Sequence, residues 1–130
     1  MGTKLLYLTT GLLLAAAAPM LAHHAFAAEY DSTKPVKVTG TISKVEWTNP
    51  HIWFYVDVKD DSGKVTTWGF SGGPPGMLQR RGINKNVLKI GDTVTVEGFR
   101  AKDASFNGTG GNVTFADGRK VFAGSAEDKQ

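Results

Sequence analysis

The sequence predicts a small all-β protein with one short helix, closed into a barrel of five or six antiparallel strands. Runs of alternating apolar and polar residues recur along the chain, separated by turn-forming Gly, Asp and Asn residues. A helix-compatible stretch, PGMLQRR, follows the third run, and two or three more strand-like runs come after it. Three strands, a short helix and then two or three strands is the order of an OB-type barrel.

The first strand is long and is expected to bend. Its apolar residues share one face as far as Ile42, whereas Val45 and Trp47 fall on the opposite face. A strand changes face only through an extra residue, so we predict a bulge near Ser43-Lys44, with Gly40 easing the curvature. A long, bent first strand can pair with neighbours on both sides, which a small closed barrel requires.

The second strand, starting at His51, separates two different faces. One face is an ordinary core face and carries Ile52, Phe54, Val56 and Val58. The other face is too aromatic for a plain solvent face and carries His51, Trp53, Tyr55 and Asp57. Residues 60–63 form a hairpin turn into the third strand, which is expected to bring Trp68 near Trp53 or Phe54. The pattern does not fix the register between these strands.

The loop SGGPPG, residues 71–76, supports two interpretations. It is either a plain connector that turns sharply before a helix, or a ligand loop whose glycines let backbone N–H groups approach a partner. A phosphate loop is excluded, because proline removes the N–H donors and no Lys-Ser/Thr follows. Residues 75–81 are then expected to form the short helix, and Gly82 to end it.

The remaining sequence predicts a fourth strand ending at Phe99, a mobile Gly-rich loop over 100–111, and a final hairpin around Asp117-Gly118. Residues 123–130 hold no large apolar side chain and are expected to form a disordered tail. The predicted barrel interior is Val36, Val38, Ile42, Phe54, Val56, Val65, Leu78, Leu88, Val94, Val96, Val113 and Phe115. At about 2 kcal/mol per buried aliphatic side chain, this set suffices for one small domain.

The N-terminal segment is typical of a secretory signal peptide. Lys4 precedes an apolar run that ends at Pro19, and small residues follow. The alternative, a membrane anchor, needs about 20 apolar residues, and this run is shorter. We therefore predict a signal peptide over 1–22, a lead-in over 23–34, a barrel domain over 35–122, and a periplasmic or secreted bacterial protein with no stable membrane anchor after cleavage. Cleavage after Ala27 is the other option and would remove both neighbouring histidines.

Cleavage after Ala22 would leave His23 as the new terminus. Its α-amine and imidazole together form a chelate suited to Cu(II) or Ni(II), with His24 and His51 as possible further ligands. The alternative is that two histidines in a flexible leader bind nothing specific. The chain has no Cys, so a thiolate metal site and a Cys nucleophile are excluded.

Five sequence blocks are specific when taken together: HHAFAAEYD, VTGTISKVEWTNPHIWFYVDV, TWGFSGGPPGMLQRRG, LKIGDTVTVEGFRAKD and DGRKVF. They resemble one family of small exported bacterial proteins of unknown function, the DUF6152 type. They span nearly the whole chain after residue 22. The resemblance implies an exported protein but carries over no catalytic or binding residue, so the function has to be argued from the residues themselves.

The residues favour a binding module over an enzyme. They contain no Ser-His-Asp motif, no paired carboxylates in an apolar setting and no three-His zinc spacing. The formal charge of +3 is dispersed, so no nucleic-acid partner is expected. The predicted partner is a small molecule or an envelope component, and the oligomeric state is open. The candidate ligand-binding residues are Trp47, His51, Trp53, Tyr55, Trp68, Arg80 and Arg81. The alternatives are the copper or nickel protein and a structural module that binds another protein through a strand edge.

Overall fold

The computed structural model describes residues 28–125. The predicted signal peptide, His23, His24 and residues 126–130 lie outside the described residues. The strands are β1 (Tyr30–Glu46), β2 (Trp53–Lys59), β3 (Val65–Ser71), β4 (Thr93–Ala101), β5 (Asn107–Thr109), β6 (Asn112–Phe115) and β7 (Lys120–Phe122), and the helix α1 (Pro75–Arg80) lies between β3 and β4. The predicted all-β class with a short helix is confirmed. Residues 30–34, which were predicted as lead-in, belong to β1.

Five strands close the barrel in the order β1-β2-β3-β5-β4, and β1 pairs with β4 to complete the ring. The pairing of β3 with β5 is parallel, whereas the other neighbours in the ring are antiparallel. The predicted small barrel of five or six strands is confirmed. One pair in the ring is parallel and not antiparallel, because strand directions can alternate around a closed ring only when the number of strands is even. Strands β6 and β7 add a hairpin beside β4.

The predicted bulge in β1 is present. Ile42 pairs with Val56 but Lys44 pairs with Tyr55, so one extra residue lies on β1 at Ser43. Thr41 pairs with β2 and also with β4, where the two halves of β1 exchange partners. The bulge therefore turns the apolar face of β1 while the strand bends around the barrel.

The core lies inside the ring and most of it follows the predicted set. Its fully or nearly buried apolar residues include Ile42, Ile52, Phe54, Val56, Phe70, Leu78, Leu88, Val94, Val96, Val113 and Phe115, while Val36 and Val38 are partly buried. Val65 was predicted inside but is 53% exposed. The prediction chose the wrong face of β3, since Phe70 points into the core and stacks on Phe54 at a centroid distance of 5.6 Å.

The C-terminal end of the described chain packs against the loop between β3 and α1. The Gly73 N–H donates to the carbonyl oxygen of Ala123 at 2.8 Å, and the Ala123 N–H donates to that of Gly111 at 2.9 Å. A Cβ on Gly72 would lie 2.6 Å from the Ala123 carbonyl oxygen, so only glycine fits there. Residues 123–125 are therefore buried, in contrast to the predicted disordered tail. The geometry favours the connector interpretation of this loop.

Candidate ligand-binding face

Trp53 and Tyr55 lie together on the outer face of β2. Their ring centroids are 6.5 Å apart and their planes differ by 25°. Both side chains are half-buried, while the alternate residues Ile52, Phe54 and Val56 are fully buried on the inner face. The predicted alternation along β2 is confirmed, and it places two aromatic rings on the outer face of this strand.

The Tyr55 ring is fixed by its neighbours. Gly69 pairs with Tyr55 across the strands, and a Cβ on Gly69 would lie 3.2 Å from the ring, so the glycine leaves room for it. The Lys44 ammonium lies 5.3 Å from the ring centroid and 2.7 Å from the Glu46 carboxylate, which also accepts a bond from the Tyr55 hydroxyl at 3.5 Å. The hydrogen bond from Lys44 holds the pKa of Glu46 below its ordinary value. The Tyr55 end of this aromatic pair is therefore already in contact with Lys44 and Glu46.

Beyond Trp53 the surface opens into a cleft of about 400 Å³. Small-molecule sites usually span about 300–1,000 Å³, so this volume fits a ligand of modest size. Trp53 and Tyr30 line one part of the cleft. Residues of the loop after β4 line another part: Ala101, Lys102, Asp103, Ser105 and Asn107. The hydroxyl of Tyr30 is hydrogen-bonded to that of Ser71 at 2.7 Å, which ties the start of β1 to the end of β3.

One wall of the cleft is a hydrogen-bonded row of three polar side chains. The Ser105 N–H donates to the Asp103 carboxylate at 3.0 Å, and the Asn107 amide donates to the Ser105 hydroxyl at 3.0 Å. Hydrogen bonds from Ser105 hold the pKa of Asp103 below its ordinary value, so this carboxylate is ionised at neutral pH. The sequence reasoning missed this row. The available signal was the spacing Asp-x-Ser-x-Asn, in which each side chain can bond two residues along the chain.

Arg100 stabilises the loop that contains these three residues. Its guanidinium donates to the carbonyl oxygens of Ala104 at 2.7 Å and Ser105 at 3.3 Å. Ala104 has a φ of 61°, a conformation that residues with a side chain rarely adopt. Phe106 contacts Trp68 edge to face at 5.4 Å, and its carbonyl oxygen accepts the Gly69 N–H at 2.9 Å. The loop is thus shaped by specific contacts, in contrast to the predicted mobile segment.

Trp68 does not lie on the Trp53 face. It pairs with Val56 and shares the inward side of β3 with Phe70, whose ring is 6.0 Å away. The Arg100 guanidinium lies 5.6 Å from the Trp68 ring centroid. Trp68 therefore supports the loop over residues 102–106 from the inner side of the sheet. Its predicted place in the ligand-binding surface is corrected by the register of β3.

The other predicted residues of this face are dispersed. Trp47 is partly buried against the core. His51 is exposed just before β2, and its Nδ1 lies 2.9 Å from the Gly72 carbonyl oxygen. A carbonyl oxygen only accepts hydrogen bonds, so Nδ1 is the donor of this bond. His51 therefore anchors the start of β2 to the connector loop, and it is not among the residues that line the cleft.

The copper or nickel site stays a prediction. Two of its three histidines, His23 and His24, lie outside the described residues. Between residues 28 and 125, no cluster of three or more His, Cys, Asp or Glu side chains could hold a metal ion. His51 is the member of the predicted set that the structure places.

Arg80 and Arg81 were predicted to contact an anionic group of the ligand. In the structure the two side chains have different surroundings. The Arg81 guanidinium donates to the carbonyl oxygen of Gly124 at 2.9 Å and lies 5.5 Å from the ring centroid of Phe122. It also lies 3.6 Å from the sulfur of Met77. Arg80 is exposed at the end of α1. Arg81 thus holds the C-terminal segment against the helix.

Replacing Arg81 with Ala is expected to lower the free energy of unfolding by about 1 kcal/mol, because a charge-assisted hydrogen bond to the Gly124 carbonyl oxygen and the contact with the Phe122 ring are lost. Arg80→Ala is the matched control, since Arg80 is an arginine at an equally exposed neighbouring position, and it should change stability by less than about 0.5 kcal/mol. Thermal unfolding followed by circular dichroism measures both. Equal melting temperatures for the two variants would contradict the assigned role of Arg81.

The fold and this surface define a class: a small closed β-barrel with an aromatic strand face beside a polar cleft. The chain belongs to the family of unknown function DUF6152, which it matches over residues 11–112. No curated protein and no solved structure matches the chain. Over residues 28–125, none of the helices has the length and apolar character needed to cross a membrane.

Proposed function

We propose that this protein is an exported periplasmic or secreted binding module that holds a small envelope ligand in the cleft beside Trp53. The observation that carries the proposal is an aromatic side chain on a rigid strand, next to a polar-lined cleft of about 400 Å³. Binding sites for small molecules commonly combine an apolar surface with a few fixed polar groups, and this cleft has both. The outer face of strands 2 and 3 is also where OB-type barrels bind ligands.

The polar groups of the cleft suit binding because they are already ordered. Asp103, Ser105 and Asn107 are hydrogen-bonded in a row, and Arg100 holds the loop carbonyls from the other side. A ligand that meets preorganised groups loses less of its binding free energy to ordering the protein. The low pKa of Asp103 keeps this carboxylate a hydrogen-bond acceptor at neutral pH.

Chemical-shift mapping by NMR tests this proposal. The folded, ¹⁵N-labelled chain is titrated with small probes from four classes: neutral sugars, aromatic heterocycles, amines and anions. We expect at least one class to shift the amide signals of Trp53, Ser105 and Asn107 while those of α1 stay in place. Shifts confined to α1, or to the sheet-edge strand β7, would contradict the proposed site.

A further inference from the structure

We infer that the cleft beside Trp53 takes a carbohydrate, specifically a neutral or N-acetylated oligosaccharide. This inference rests on the proposed function and adds the chemical class of the ligand. Three properties of the cleft support it: the aromatic rings that line it, the mixture of donors and acceptors along its wall, and the sign of its charge.

Two aromatic rings line the cleft, too few to form a cage. They are Trp53 and Tyr30, while the Tyr55 ring is stacked beside Trp53 at a centroid distance of 6.5 Å and lies outside the lining. A quaternary ammonium ligand is typically enclosed by several aromatic faces, more than this cleft provides. A sugar ring has a flat face of C–H groups and a rim of hydroxyls, and it can lie against the Trp53 ring with its rim toward the cleft wall.

The cleft wall offers hydrogen-bond partners of both kinds. The Asp103 carboxylate is an acceptor, the Lys102 ammonium is a donor, and Ser105 and Asn107 supply both. The Asn107 amide has a second N–H beyond the one that it gives to Ser105. A sugar hydroxyl donates and accepts at once, as does an N-acetyl group with its N–H and C=O. The wall therefore matches the hydroxyl rim better than it matches a ligand that offers acceptors alone.

The charge of the cleft disfavours anions. Glu29 and Asp103 line it together with one basic residue, Lys102. Lys44, which lies over the Tyr55 ring outside the cleft, is paired with Glu46 at 2.7 Å. Phosphate, a nucleic acid backbone or an acidic sugar would face this excess of carboxylates without a basic cluster to offset the repulsion.

Isothermal titration calorimetry distinguishes these ligand classes on the full chain as exported. The probes are chitobiose and cellobiose as uncharged disaccharides, digalacturonate as an acidic one, and benzyltrimethylammonium as an aromatic cation. We expect saturable binding of an uncharged disaccharide with a Kd of about 1 mM or tighter, and at least about tenfold weaker binding of digalacturonate. Asn107→Ala should weaken the sugar about tenfold, whereas Asn112→Ala, at an exposed position on β6, should not.

Should Asn107→Ala melt well below the wild type, Asp103→Asn gives the same test, because it keeps the side-chain shape and removes the charged acceptor. If the ammonium or the acidic probe binds at the Trp53 face and neither uncharged disaccharide binds, the carbohydrate inference is overturned. The proposed binding function would then still hold. If none of the four calorimetry probes binds, the carbohydrate inference is overturned. If, in addition, no probe class of the NMR experiment shifts the Trp53 signals, the proposed function is overturned as well.

Discussion

Replacing Gly98 with Ala is expected to lower the free energy of unfolding by about 3 kcal/mol or more, the upper range for overpacking a tight interior. Gly98 lies on β4 where the backbone of β5 passes close by. A Cβ there would overlap the carbonyl oxygen of Thr109 and lie 2.8 Å from its carbonyl carbon and from its hydroxyl oxygen. Thr109 is 1% exposed, and its hydroxyl accepts the Phe99 N–H at 2.9 Å, so it has little room to move.

Gly76→Ala is the control for Gly98→Ala. Gly76 is exposed in α1, and the nearest atom to its added Cβ would be 3.7 Å away on Arg80. Alanine there should stabilise the protein by about 0.5–1 kcal/mol, since glycine is a poor helix former. In a domain of this size about 1 kcal/mol corresponds to roughly 4–8 °C in Tm. A Gly98→Ala variant that melts within a few degrees of the wild type would contradict the close approach of β4 and β5.

Replacing Trp53 with Ala is expected to weaken ligand binding by about 100-fold, or about 2.8 kcal/mol, because a central aromatic contact commonly dominates a binding site. The same change should leave the fold intact. Trp53 is half-buried on the outer face of β2, and the core residues beneath it, Ile52 and Phe54, remain in place. Titration calorimetry with the disaccharide that binds the wild type measures the first effect, and thermal unfolding measures the second.

Tyr55→Phe is the matched control for Trp53→Ala. It keeps the ring that lies next to Trp53 and removes only the hydroxyl. That hydroxyl donates to Glu46 at 3.5 Å and is not directed to the cleft. Binding should change by less than about threefold, which is under 1 kcal/mol. Wild-type affinity in a folded Trp53→Ala variant would remove Trp53 from the site and with it the main support for the proposed function.

The parts of the fold that follow from residue periodicity were predictable from the sequence. The alternation after His51 identified both faces of β2, and the change of face between Ile42 and Val45 located the bulge in β1. β3 was different because each of its faces has apolar residues. Choosing Val65 as the inner residue was wrong, and it also misplaced Trp68, since the side that faces inward depends on register with β2.

The candidate site was harder to predict because its parts come from distant positions. Its aromatic half, Trp53 and Tyr55, lies on one strand and could be identified from alternation alone. The polar half lies in a segment whose Gly, Ser and Asn content is typical of mobile loops. Arg100 bonds two backbone carbonyls of that segment and contacts Trp68 on β3, and this contact between distant positions is not indicated by the local sequence.

The most direct test of the central claim uses the indole N–H signals in the ¹H–¹⁵N spectrum. The chain has three tryptophans, and the structure places them on the outer strand face, against the core and beneath the loop over residues 102–106. Each signal is assigned by a single Trp→Phe variant, and an uncharged disaccharide is then added to saturation. The account predicts that the Trp53 indole signal shifts while those of Trp47 and Trp68 stay in place. A shift of Trp47 or Trp68 with Trp53 unchanged would contradict it.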